Sequence, residues 1–161
     1  MSGATLSGGD KEGDFSVIQD FVPARDTRRV MEIWLEASRE AHGFIPMAYW
    51  EATAPLVEKE ILPRAQTTVF LWEGEPKVVG FLSLIDGDHI GALFVDPAYQ
   101  GRGIGGALMA RCKEGKERLT LAVYRENRRA VEFYRRQGFE LLEERVDEGT
   151  GQPELLMVWR K

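Results

Sequence analysis

Apolar residues recur along this chain at two different spacings. Val30, Ile33, Trp34, Ala37 and Ala41 lie three and four apart, with Arg28, Glu32, Glu36 and Arg39 between them. That stripe predicts an amphipathic helix opening after Pro23 and Asp26. Residues 43–46 break it, and Trp50, Ala54, Val57 and Ile61 carry a second helical run that Pro55 must kink or split. The period then shortens. Residues 67–72 and 77–85 are β-rich and are joined by the hairpin turn Glu73-Gly74-Glu75-Pro76; Asp86-Gly87-Asp88 turns the chain again into a strand over 89–95. A helix is predicted over 103–114, capped by Gly115, and a strand over 119–124. A helix over 127–137 stops at Gly138, and strands over 139–146 and 154–160 flank a turn at 147–153. A weakly alternating stretch over 15–21 makes a first strand.

These elements predict one α+β domain over 15–161, with a mixed, mostly antiparallel sheet of six to seven strands flanked by about four helices. The early strands, joined by short turns, must be antiparallel. The later ones are separated by helices, and strand–helix–strand connections of that length usually make parallel pairs. Residues 1–14, rich in Gly, Ser and Asp, suggest a flexible tail with neither the basic start nor the apolar run of a secretory signal.

Composition narrows the function classes. At 161 residues one core suffices, and 21 Lys and Arg against 26 Asp and Glu give a net charge of −5. That balance argues against nucleic acid or an anionic membrane as the main partner, although Arg128–Arg129 and Arg135–Arg136 leave room for a local basic patch. The single cysteine, Cys112, precludes an intrachain disulfide and fits a reducing cytoplasm; at its helical position it reads as a small apolar residue.

The chemistry concentrates after the strand at 89–95, in Val95-Asp96-Pro97-Ala98-Tyr99-Gln100-Gly101-Arg102-Gly103-Ile104-Gly105-Gly106. Glycines between a strand and a helix let main-chain N–H groups approach an anion, and the opening helix offers unpaired donors with partial positive charge. A pyrophosphate suits that field. Gly101, Gly103 and Gly106 satisfy G-x-G-x-x-G with Glu126 twenty residues on, but too little chain follows to build a dinucleotide domain. A Walker loop is excluded, because no Lys-Ser or Lys-Thr follows the glycines.

The same residues resemble the GCN5-related N-acetyltransferases. Val95, Pro97, Gln100, Gly103 and Gly105 match that family's motif V-x-P-x-x-[QR]-x-x-G-x-[GA], and Asn127, Ala130, Phe133, Tyr134, Gly138 and Phe139 match a second one, N-x-x-A-x-x-F-Y-x-x-x-G-F. The resemblance spans about residues 15–160. It implies acetyl-CoA as co-substrate, no metal, and a primary amine as acceptor, a small molecule or a peptide. The backbone of Leu93, Phe94 and Val95 would pair with the pantetheine arm, itself a peptide mimic. Gln100, Gly101, Arg102, Gly103, Ile104, Gly105 and Gly106 would hold the pyrophosphate, and Asn127 would bond the arm, cap its helix, or do both.

A lysine-like amine with pKa near ~10.4 must lose a proton before it attacks, and the departing thiolate benefits from a donor. Tyr134 is the expected donor, with core packing beside Phe133 its alternative role. Relatives often place a Glu as base on the strand at 89–95; this strand has none. His89 is the substitute, or Asp86 and Asp88 acting through water, unless His89 is simply solvent-facing. In His42-Gly43-Phe44-Ile45-Pro46-Met47-Ala48-Tyr49-Trp50, His42, Phe44 and Tyr49 are expected to line the acceptor pocket and Trp50 to belong to the core. A non-catalytic acetyl-CoA sensor and a plain nucleotide-binding protein are the competing readings. Whether the chain forms a homodimer is left open by the sequence.

Overall fold

A computed structural model describes residues 5–7, 15–73 and 77–161. Strands β1 (Thr5–Ser7) and β2 (Phe15–Asp20) precede helices α1 (Pro23–Ala41) and α2 (Met47–Leu56). Strands β3 (Gln66–Trp72), β4 (Lys77–Ile85) and β5 (His89–Val95) form a meander, followed by α3 (Ile104–Lys113), β6 (Arg118–Tyr124), α4 (Arg128–Arg136), β7 (Glu140–Val146) and β8 (Pro153–Arg160). They make one sheet in the order β1-β2-β3-β4-β5-β6-β8-β7, antiparallel except between β5 and β6. The architecture is the expected α+β one. β1 adds a strand against β2 inside the stretch that the sequence suggests is a tail; the rest of residues 1–14 and the hairpin tip at 74–76 lie outside the described residues.

Local chemistry explains the helix boundaries. Pro23 opens α1, where its missing N–H costs nothing, and the buried Asp26 carboxylate accepts the Val22 N–H at 2.8 Å and pairs with Arg25 at 2.6 Å. Pro55 sits inside α2 and cannot donate to the preceding turn. The helix survives to Leu56, then widens into a π turn over Val57–Ile61 and tightens into a 3-10 turn over Leu62–Arg64. Asn127 caps α4, its Oδ1 accepting the Ala130 N–H at 3.4 Å.

The sheet separates two cores. Ile104, Leu108 and Met109 of α3 and Val131 and Tyr134 of α4 pack on Val79, Leu82, Leu119, Leu121 and Met157; Cys112 is buried there, as an apolar residue would be. On the opposite face Val30, Ile33 and Trp34 of α1 join Trp50, Val69, Val78 and Phe81. β4 is buried along most of its length and serves both cores.

Two irregularities shape what lies between them. β5 and β6 pair only at His89↔Thr120 and Ile90↔Leu121, then part. On its other edge β5 stays paired to β4 up to Gly80↔Val95, with a bulge that leaves Gly91 unmatched between Ile90 and Ala92. A Cβ at Gly91 would lie 2.4 Å from Ile85 Cδ1, so any side chain there would force the Ile85 side chain to move. Each strand keeps one neighbour, and the seam between them opens.

Phe81, 2% exposed under α1, carries more of this framework than Leu142, 46% exposed on β7. We expect Phe81→Ala to cost roughly 3–5 kcal/mol in urea unfolding and Leu142→Ala less than about 0.5 kcal/mol. Similar midpoints for the two variants would contradict this packing.

Candidate active site

The open seam forms one cleft of about 1210 Å³ that reaches both faces of the sheet. On the α3/α4 side it is lined by Tyr99, Gln100, Gly101, Gly103, Ile104, Gly105, Gly106, Phe133 and Tyr134. On the α1/α2 side it is lined by Trp34, Ala37, Glu40, His42 and Trp50. Leu93, Phe94 and Val95 form its β5 wall, and Ala122, Val123 and Tyr124 its β6 wall, continued by Glu126 and Asn127. Because the strands have parted, β5 residues beyond Ile90 present main-chain groups to the cleft that no β6 ladder satisfies.

The glycine turn is braced from behind. Asp96 accepts the Ala98 N–H at 2.9 Å and bonds Arg29 of α1, whose Nε donates to the Val78 carbonyl at 2.8 Å. Burial works against the Asp96 charge, but the Ala98 N–H and Arg29 hold its carboxyl below the ordinary range. α3 opens at Gly103 in the left-handed region, φ 82°, with no side-chain cap. Its first intrahelical bond runs from Ala107 N to Gly103 O, at 3.0 Å, so the N–H groups of Ile104, Gly105 and Gly106 have no helical acceptor. Open space surrounds the Cα positions of Gly101 and Gly103. Gln100 donates from Nε2 to the Val95 carbonyl at 3.3 Å. Arg102 does not line the cleft; its guanidinium lies over the rings of Trp72 and Tyr99, 5.4 and 5.6 Å from their centroids. The cations that do line it are Arg128, Arg129 and Arg136 of α4. The sequence showed them as a cluster but gave no direction for it.

Midway along the cleft Tyr134 packs edge-on against Phe133 and Phe139, at centroid distances of 5.4 and 5.8 Å. Burial pushes its phenol well above the ordinary value, and no hydrogen bond engages the hydroxyl among the described residues. It is therefore a protonated donor with its bond unspent.

At the other end the imidazole of His42 stands among Phe44, Trp50, Phe94 and Tyr124, at centroid distances of 5.9, 5.1, 6.4 and 5.2 Å. Burial lowers its pKa from 6.5 to about 4, so it is neutral at physiological pH. Its Nε2 lies 3.3 Å from Asn127 Nδ2. Since Asn127 Oδ1 serves the Ala130 N–H, Nδ2 donates, Nε2 accepts, and the ring proton sits on Nδ1, which is buried without a partner. Trp50 is buried in the core and also lines the cleft, whereas Phe44 and Tyr49 stand one layer behind the lining. Tyr124, missed in the sequence, lines it directly and donates to Asp147 at 2.6 Å.

His89 lies outside the cleft, at the closed end of the seam, where its Nδ1 is 2.8 Å from Thr120 Oγ1; burial and then Arg145 lower its pKa. Asp86 and Asp88 flank Gly87 in the β4–β5 turn and do not line the cleft either. The structure thus brings Tyr134, Asn127, His42 and the glycine turn together, and leaves the expected base and Arg102 apart.

Comparison with known proteins gives this geometry a context. A family model described as the acetyltransferase (GNAT) family matches residues 27–139. Peptidyl-lysine N-acetyltransferase YiaC of Escherichia coli (strain K12) is 38% identical over 130 residues, 81% of this chain and 88% of its own. Peptidyl-lysine N-acetyltransferase YjaB of Salmonella typhimurium (strain LT2) is 32% identical over 125 residues, 78% of this chain and 84% of its own. The solution structure of apo-form YjaB from Escherichia coli superposes with a TM-score of 0.78 at 29% identity, covering 89% of this chain and 97% of that one.

The burial of His42 has a thermodynamic signature. A pKa depressed in the fold means that the unfolded chain binds the proton first as pH falls, so stability is full above 6.5 and drains between 6.5 and about 4. At about 1.4 kcal/mol per unit, the loss should reach roughly 3 kcal/mol. Chemical unfolding at pH 7 and pH 4.5 should show wild type losing that much more than His42→Gln; parallel losses would mean that the imidazole protonates freely inside the fold.

Proposed function

The chain belongs to the acetyltransferase (GNAT) family and moves the acetyl group of acetyl-CoA to a primary amine, and we propose that this amine is a lysine side chain of a peptide or protein, reaching the cleft from its α1/α2 side. The observation that carries the proposal is the seam itself. One cleft joins an amide-lined turn fit for a diphosphate to an aromatic chamber fit for an alkylammonium. Two relatives named for peptidyl-lysine acetylation support the acceptor class.

The residues fit acetyl-CoA without rearrangement of the turn. Ile104, Gly105 and Gly106 supply the unspent N–H groups, the uncapped helix end supplies the field, and Gly101 and Gly103 leave room for phosphate oxygens. Leu93 to Val95 offer their open edge to an amide-bearing arm. Acetyl-CoA brings a thioester carbonyl activated towards amines. A main-chain N–H near Val95 polarises that carbonyl, and being fixed in the strand it does so without reorganisation. Asn127 sets the height of the α4 end against β6 and holds His42 in one tautomer. Tyr134 delivers its proton to the departing sulfur as the C–S bond breaks and recovers one from the newly acylated nitrogen, the ammonium having first lost its extra proton to water. Trp34, Trp50 and Phe94 strip water from the incoming ammonium, which favours its neutral, attacking form. His89 does not line the cleft and is bonded to Thr120, so we give it no part in the transfer. No described helix is long and apolar enough to cross a membrane, and a lone buried cysteine suits work in the cytoplasm.

With acetyl-CoA and a panel of lysine peptides, polyamines and small amines, free-thiol release should be fastest with the peptides. Preference for polyamines would remove the acceptor assignment while leaving the transfer chemistry intact. Tyr134→Phe should lower kcat roughly 100-fold and leave CoA affinity nearly unchanged. An unaltered kcat would take the phenol out of the reaction.

A further inference from the structure

Helix α4 carries four arginines, but only part of that set faces the cleft. Arg129 and Arg136 are seven residues apart, two turns along one face, and Phe133 lies between them on that face. Phe133 is also the residue that a Cβ on Gly105 would meet first, at 3.4 Å. Arg129 and Arg136 therefore bracket the open end of α3 from one side. Both line the cleft, both are exposed, and neither makes an ion pair among the described residues. Arg135, the neighbour of Arg136, does not line it. Glu132 is exposed on the same face and also lines the cleft, so it offsets only part of this charge.

Arg128, also exposed and without an ion pair among the described residues, lines the cleft beside Arg129, so this edge of a chain of net charge −5 carries a local positive field that suits an anion beyond the reach of the α3 amides. Acetyl-CoA carries such a group. Besides the diphosphate on C5′, its ribose bears a phosphomonoester on C3′ of the same ring, so a diphosphate seated at the glycine turn keeps a second, more highly charged phosphate close by. We propose that Arg129 and Arg136 bind this 3′-phosphate by charge-assisted, forked hydrogen bonds and make the enzyme selective for CoA over 3′-dephospho-CoA. The proposal rests on the acetyl-CoA reading above.

Calorimetry on the full chain with CoA and with 3′-dephospho-CoA separates the two ideas. Wild type should bind CoA at least about tenfold more tightly than the dephospho form. Arg129→Gln and Arg136→Gln should each weaken CoA binding alone and shrink that ratio, with Arg129→Lys and Arg136→Lys retaining part of it. Arg135→Gln, which removes the same charge from the same helix, should keep the ratio. Equal wild-type affinity for the two forms overturns the proposal. So does a matched loss for both forms in the glutamine variants, which would mean that these residues act on the diphosphate or through the general field. If neither form binds, the acetyl-CoA reading itself fails.

Discussion

A β-sheet satisfies its main chain by pairing, and this sheet stops pairing in its middle. After Ile90↔Leu121 nothing on β6 answers β5, yet each strand stays anchored on its far side, β5 to β4 and β6 to β8. The seam is therefore held open by two intact half-sheets. Main-chain groups exposed in this way need a partner, from water or from a ligand with its own amides. The bulge at Gly91 belongs to the same constraint, since it re-aims β5 as the strands separate and sets its glycine close against the Ile85 side chain. The glycine turn then starts where β5 ends, and Arg29 and Asp96 hold that end fixed, so the anion-binding amides lie in line with the open edge.

A contact between Asn127 and His42 ties the two sides of the cleft together. Asn127 uses its oxygen to cap α4 and its nitrogen to bond His42, which belongs to the end of α1. Tyr134 stands two turns further along α4, so the cap that sets the helix also sets the donor. His42 is worth burying there only as a neutral ring, which its aromatic surroundings ensure. A charged imidazole in that place would lose the bond from Asn127 Nδ2, because it would have no lone pair left to accept it.

Much of this was legible in the sequence because it is local. From β3 onward periodicity placed the elements to within a residue, whereas α1 opens at Pro23 rather than after Asp26, α2 opens at Met47 ahead of the Trp50 run, and β1 lies in the stretch read as a tail; Pro55 marked the break after α2, and the Pro-Gly run from Pro97 marked the turn. The two motifs located Tyr134 and Asn127. What the sequence could not report depends on direction in space. Arg102 sits inside the motif, but Trp72, from β3, draws its guanidinium onto aromatic faces, and no local pattern reports a strand thirty residues earlier. His89 lies on the correct strand at its closed end, a distinction that depends on where β6 stops pairing. Tyr124 reads as one more strand residue until Asp147, from the β7–β8 turn, is seen to accept its hydroxyl. The arginines of α4 looked like a patch, and only the packing of Phe133 on Gly105 gives that patch an orientation.

Charge along the cleft is segregated, and this bears on how one acidic protein admits two unlike ligands. Around the glycine turn the lining offers main-chain N–H groups and the guanidiniums of α4, offset only in part by Glu132. Towards the aromatic chamber it offers Glu40 and Glu154, with Asp147 behind Tyr124, held below the ordinary carboxylate range by the hydrogen bonds from Tyr124 and Thr150 despite its partial burial. A polyanion and an alkylammonium are thus drawn to opposite mouths of the same opening, each repelled from the other's. The overall negative charge helps the cationic partner in and makes a local arginine cluster necessary for the anionic one. That need gives unpaired cations on α4 a physical reason, and composition, which reads only the sum, spoke against nucleic acid and anionic membranes without bearing on so local a cluster.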